Sequence, residues 1–188
     1  MIEIYPPLPP AIYIVVPCYN EEEVLPETAK RLLEKLNGLR EASLVSDASR
    51  IVFVDDGSRD RTWDIIQNLY QETTEFLCGI KLSRNRGHQN ALVCGLLSVK
   101  DYCDAAISID ADLQDDISVI DGMVKKYREG CEIVYGVRSD RTSDGFFKRA
   151  SAQGFYKLIR FLGVDIVYNH ADFRLMGRRA LEAFAEYR

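Results

Sequence analysis

Four times along this chain a short apolar, β-branched run ends in a polar cluster, and a helical pattern follows. "AIYIVV" (11–16) gives way to "PCYNEEE", "RIVFV" to "DDGSRD", "CGIKL" to "SRNRGHQN", and "AAISI" to "DADLQDD". Runs of this length rich in Val and Ile read as buried strands. Pro17 is expected to stop the first of them. Leucines at 25, 32, 33, 36 and 39 then set an apolar stripe at helical spacing, predicting a helix from Glu22 to about Leu39. "DRTWDIIQNLYQE" and "ISVIDGMVKKYREG" read as later helices, and "EIVYGVR" as a fifth strand. Strands alternating with helices define an α/β fold, with a mostly parallel central sheet and helices on both faces. Each polar cluster follows the carboxyl end of a strand, the edge along which open parallel sheets bind ligands. Clusters scattered in sequence are therefore expected to converge on one rim.

The 188 residues suffice for one domain with a full core. "MIEIYPPLPP" (1–10) reads as a proline-rich extended lead-in. With 24 Lys and Arg against 29 Asp and Glu, the net charge of −5 argues against nucleic acid as a partner. Five widely spaced cysteines without a CxxC pair read as free thiols of a reducing compartment. No apolar run approaches the length of a membrane span, so the chain as given is expected to be soluble.

The acidic clusters carry the sharpest question. Asp110 and Asp112 flank one residue, so extended backbone can turn both toward one point beyond the fourth strand. Paired hard oxygen ligands suit Mg²⁺ or Mn²⁺, which commonly share a few carboxylates with phosphates and water; helix capping is the plainer reading. Asp115 and Asp116 fit capping of the next helix. Asp55 and Asp56 fit a turn, or a buried carboxylate that accepts from a base N–H. Arg84, Arg86 and His88 sit near a helix start, either as a solvated loop or as cations near a phosphate. Residues 138–160 carry six Lys and Arg against two Asp, interleaved with aromatics. Such a segment is either a half-buried amphipathic helix or a surface for an anionic, lipid-like partner.

Taken in order, "VVPCYNEEE", "VFVDDGSRDRT", "LSRNRGHQNA", "DADLQDD", "GVRSDR", "FYKLI" and "NHADFRLMGRRALEA" resemble glycosyltransferase family 2, within it the polyprenyl-phosphate sugar transferases. The resemblance implies a GT-A catalytic domain over 11–188, lacking C-terminal membrane-associated segments. It also implies a reaction: an inverting, Mg²⁺- or Mn²⁺-dependent transfer of a hexose from a UDP- or GDP-sugar to polyprenyl phosphate at the cytosolic membrane face. Carried over by residue, Pro17, Tyr19, Glu21 and Val54 line the base and ribose pocket, and Asp56 takes the base N–H. Asp110, Ala111 and Asp112 form the motif joining metal to diphosphate, with Gln114 beside it as a further ligand. Arg138 reaches the phosphates, Arg149 meets the acceptor phosphate, and Asp172 stands at the reaction centre. Arg86 departs from the aromatic residue many such relatives carry. Other readings are a saccharide acceptor, a non-catalytic nucleotide-binding domain, or a haloacid-dehalogenase-like phosphohydrolase with Asp110 as nucleophile. A dinucleotide dehydrogenase is disfavoured, since no GxGxxG follows the first strand.

Overall fold

The computed structural model describes residues 8–112, 114–137 and 170–186. Its elements in chain order are β1 (Ile12–Cys18), α1 (Leu25–Glu41), β2 (Arg50–Asp55), α2 (Thr62–Glu72), β3 (Leu77–Lys81), α3 (His88–Val99), β4 (Ala105–Ser108), α4 (Val119–Arg128), β5 (Ile133–Val137), β6 (His170–Gly177) and α5 (Arg178–Glu186). One six-stranded sheet runs in the order β3-β2-β1-β4-β6-β5. β1 to β4 are mutually parallel, and β6 is antiparallel to both β4 and β5. This is the mostly parallel α/β sheet the alternating pattern predicts. β6 inserts antiparallel between β4 and β5, and Arg174 in its interior breaks the apolar run.

β1, β2 and β4 bury both faces, which is why they read as continuous apolar runs rather than alternations. On one face Ile14, Val16, Phe53 and Ile107 pack with Leu32 and Leu36 of α1, Ile66 of α2, and Met123 of α4. On the other, Val15, Val52 and Val54 pack with Leu92 and Leu96 of α3 and Leu181 of α5. α3 approaches closely because it presents Gly95 to the sheet. A Cβ there would lie 2.5 Å from Val15 Cγ1 and 2.8 Å from Val54 Cγ2.

β1 does not stop at Pro17, as the sequence suggested; it continues to Cys18. The carbonyls explain why a proline is tolerated in a central strand. Val15 accepts from Ile109 on the β4 side, while Cys18 accepts from Asp56 on the β2 side. By alternation Pro17 faces β4, whose ladder with β1 has ended at the Val15–Ser108 pair. Its missing N–H falls where no partner strand remains.

Candidate functional site

That divergence marks the crevice. The chain runs from β1 outward through β2 to β3, then crosses back to β4 on the opposite side of β1. The sheet therefore reverses its winding between β1 and β4, the position where open α/β sheets receive ligands. The loops after β1 to β4 all emerge on this edge, as expected.

Beyond β4 the side chains alternate. Ala111 turns inward and is 3% exposed, while Asp110 is half-buried and Asp112 exposed. The backbone between the two aspartates is anchored from below, where buried Thr28 of α1 donates its hydroxyl to the Ala111 carbonyl at 2.6 Å. Asp112 Oδ1 accepts from the Gln114 N–H at 3.1 Å, and the Gln114 side chain is exposed. From across the crevice Glu21 joins them. Its carboxyl is pushed above the ordinary value by partial burial, then by the charges of Asp112, Asp60 and Asp110. Glu21 therefore senses uncompensated negative charge of the kind a bound cation would relieve.

The loop after β1 is clipped to the loop after β2. Glu21 N donates to Thr62 Oγ1 at 2.8 Å, and that hydroxyl donates on to Asp60 Oδ1 at 2.6 Å. Glu22 N donates to Asp60 Oδ2, Asn20 N to Ser58 Oγ, and Arg59 N to Asn20 Oδ1. Asn20 itself takes a left-handed φ of 56°, a conformation asparagine tolerates better than most residues.

Asp55 and Asp56 divide their work. Asp55 is fully buried; its Oδ1 accepts from Ser58 N and its Oδ2 has no partner. Asp56 accepts from the backbone N–H groups of Arg86 at 2.7 Å and Gly87 at 2.8 Å, tying the β3–α3 loop to the end of β2. Gly57 permits the approach, because a Cβ there would meet the Arg84 and Asn85 backbone at 2.5 to 2.6 Å. The loop so pinned delivers His88, the first residue of α3, to the crevice, with Nε2 3.4 Å from Asp110 Oδ1.

The structure thus brings Glu21, Asp110 and Asp112 together and adds His88, which the sequence offered as a solvated loop residue or a cation near a phosphate and which lies against Asp110 instead. Pro17 is buried at the end of β1 and Tyr19 is exposed on the loop after it. Val54 is fully buried in the cluster beneath α3. Asp116 does cap a turn, accepting from Ser118 N at 2.9 Å. Asp115 is 8% exposed, four residues before α4 begins at Val119. Arg138, Arg149 and the basic aromatic segment lie outside the described residues. Asp172 is placed by its backbone in β6. There β4 and β6 pair from Ala105–Gly177 to Ser108–Arg174, and Asp172 lies on β6 two residues before the last of those pairs.

Asp110 and Asp112 suit a hard divalent cation. Among the described residues no group of three His, Cys, Asp or Glu side chains stands ready to hold a metal. Two carboxylates leave the remainder of an octahedral shell to phosphate and water oxygens. A concavity of about 410 Å³ between α1 and α4, lined by Arg31, Lys35, Ile117 and Asp121 among others, includes none of these acids.

A doubly wound sheet with paired acids at its switch point defines the class, and comparison with known proteins agrees. The solved mannosyltransferase PcManGT from Pyrobaculum calidifontis, in complex with GDP-Man and Mn²⁺, matches with a TM-score of 0.62 at 21% identity, over 95% of this chain and 48% of that one. At that identity the likeness speaks for the fold, which is GT-A. The family model for glycosyl transferase family 2 matches residues 13–184, and the chain belongs to this family. It is 54% identical over 178 residues to the uncharacterized glycosyltransferase YkoT of Bacillus subtilis, covering 95% of this chain and 52% of that protein. It is 40% identical over 174 residues to the prophage bactoprenol glucosyl transferase homolog of Escherichia coli K12, covering 91% and 53%. The chain spans about half the length of these curated relatives.

Proposed function

We propose that this chain forms the donor-binding catalytic domain of an inverting hexosyltransferase that moves a sugar from UDP- or GDP-sugar to polyprenyl phosphate. The observation that carries the reading is the convergence of Glu21, Asp110 and Asp112 at the β1–β4 switch point, where partial burial first, and then the charges of Asp112, Asp60 and Asp110, push the Glu21 carboxyl above its ordinary value. The name of the Escherichia coli relative supports the lipid acceptor. Action at the cytosolic face of a membrane follows from that acceptor; no described helix is long and apolar enough to cross a bilayer.

Each residue then has a task. Pro17, Tyr19 and Glu21 frame the base and ribose, and Val54 reaches that pocket through its backbone alone, since its side chain is fully buried against α3. Asp56 already accepts two backbone N–H groups, but each carboxylate oxygen has a second lone pair and can also take a base N–H. Asp110 and Asp112, with Gln114 beside them, would hold Mg²⁺ or Mn²⁺. When bound, that ion stabilises the charge growing on the departing nucleoside diphosphate. Arg138 is assigned to the donor phosphates and Arg149 to the acceptor phosphate. A lipid phosphate is largely ionised at neutral pH, its second pKa being about 6. The acceptor therefore needs no general base, and Asp172 serves to orient the sugar.

The test is transfer from UDP-glucose and GDP-mannose to a short-chain polyprenyl phosphate, with the product anomer read by NMR. Transfer with inversion, abolished by EDTA, is expected. Transfer to oligosaccharides but not to polyprenyl phosphate would replace the acceptor assignment.

A further inference from the structure

Asp110 stands on chain that has already left the β4 ladder, which ends at Ser108. The Thr28 hydroxyl fixes the Ala111 carbonyl, but that bond does not set the rotation of the neighbouring carboxylate. His88 touches the carboxylate directly, at 3.4 Å from Oδ1. The position of His88 is in turn determined from two sides. Behind it, Gly87 caps α3 with φ 91° and ψ 148°, a conformation essentially closed to other residues. Beneath it, the N–H groups of Arg86 and Gly87 are bound to Asp56 at 2.7 and 2.8 Å. A continuous path therefore joins the carboxylate at the end of β2 to the one beyond β4, and His88 is its last link.

We infer that His88 is a positioning residue. It holds one oxygen of Asp110 so that the other faces the divalent cation and the donor diphosphate, and it couples that orientation to the base-side carboxylate Asp56. The inference rests on the donor-site reading above. Carboxylates that bind metals are themselves oriented by neighbouring hydrogen-bond donors, whose loss typically weakens metal affinity by about 10- to 100-fold. His88 has little work in the fold: its side chain is 44% exposed, so its removal opens no core cavity. The path also explains why the loop is bolted to β2 through two backbone bonds. A histidine on an untethered loop could not set the carboxylate.

The test is calorimetric titration of UDP and GDP, with and without Mn²⁺, into wild type, His88→Ala, His88→Gln and Asp112→Asn, alongside Mn²⁺ binding followed by electron paramagnetic resonance. His88→Ala is expected to weaken Mn²⁺-dependent nucleotide binding about 10-fold or more, with metal-free binding and the unliganded melting temperature unchanged. His88→Gln, which keeps an N–H donor, should recover most of the loss. A merely structural role would move metal-free binding and melting temperature as well, and that result overturns the proposal. So does wild-type Mn²⁺-dependent affinity in His88→Ala while Asp112→Asn is defective, which leaves the donor site standing. Failure of His88→Gln to improve on His88→Ala also overturns it, because the hydrogen-bond donor would then not be what matters. If wild type binds neither nucleotide with Mn²⁺, the donor-site reading falls and takes this inference with it.

Discussion

Between Asp110 and Asp112, Ala111 is small, buried and tied by its carbonyl to Thr28. The spacing of the two acids is legible in sequence, because extended backbone alternates its side chains. The anchor is not: Thr28 lies 83 positions away inside an ordinary amphipathic helix, and nothing local marks it. The partner of His88 was illegible for the same reason. Its loop reads as a solvated helix start, and its contact with Asp110 exists only once α3 and β4 are folded onto one edge. Thr28→Val keeps the shape of the side chain but strands a buried carbonyl, at a cost of about 1–3 kcal/mol. Urea denaturation should show that loss, and Mn²⁺-dependent nucleotide binding should weaken with it as the Asp110–Asp112 backbone loosens. Unchanged stability would remove Thr28 from the site's support.

Among the elements, the strands and helices after β1, β2, β3 and β4 fall where the alternating pattern predicts, with boundaries shifted by a few residues. The exceptions have physical causes. β1 passes through Pro17 because the missing N–H faces the opened side of the sheet, and the start of β6 is hard to read because Asp172 and Arg174 interrupt its apolar pattern. The clip between the β1 and β2 loops carries a pH prediction. Burial pushes the Asp60 carboxyl up, but the hydroxyl and N–H of Thr62 and the N–H of Glu22 outweigh it and hold it below its ordinary value of 3.8. The clip is therefore at full strength above pH 3.8 and is lost as pH falls through the lowered folded value. Stability measured by denaturant titration should separate wild type from Asp60→Asn by a constant amount near neutrality, and the gap should shrink below pH 3.8. A gap that widens in acid would contradict this account of the clip.

At the scale of the molecule, the reversal of strand order between β1 and β4 turns four separate sequence clusters into one site. The rim was predictable because parallel strands end on the same edge; the pairings across it were not, because they depend on which strands become neighbours. Under the proposed function, Asp110 and Asp112 form a divalent-cation site for a nucleoside diphosphate. Its most direct test is the calorimetric titration of UDP and GDP into the wild-type chain and Asp112→Asn, each with and without Mn²⁺. Binding of one nucleotide that Mn²⁺ strengthens, with the strengthening lost in Asp112→Asn, is the predicted result. Equal binding with and without the cation, or undiminished binding by the variant, would contradict it.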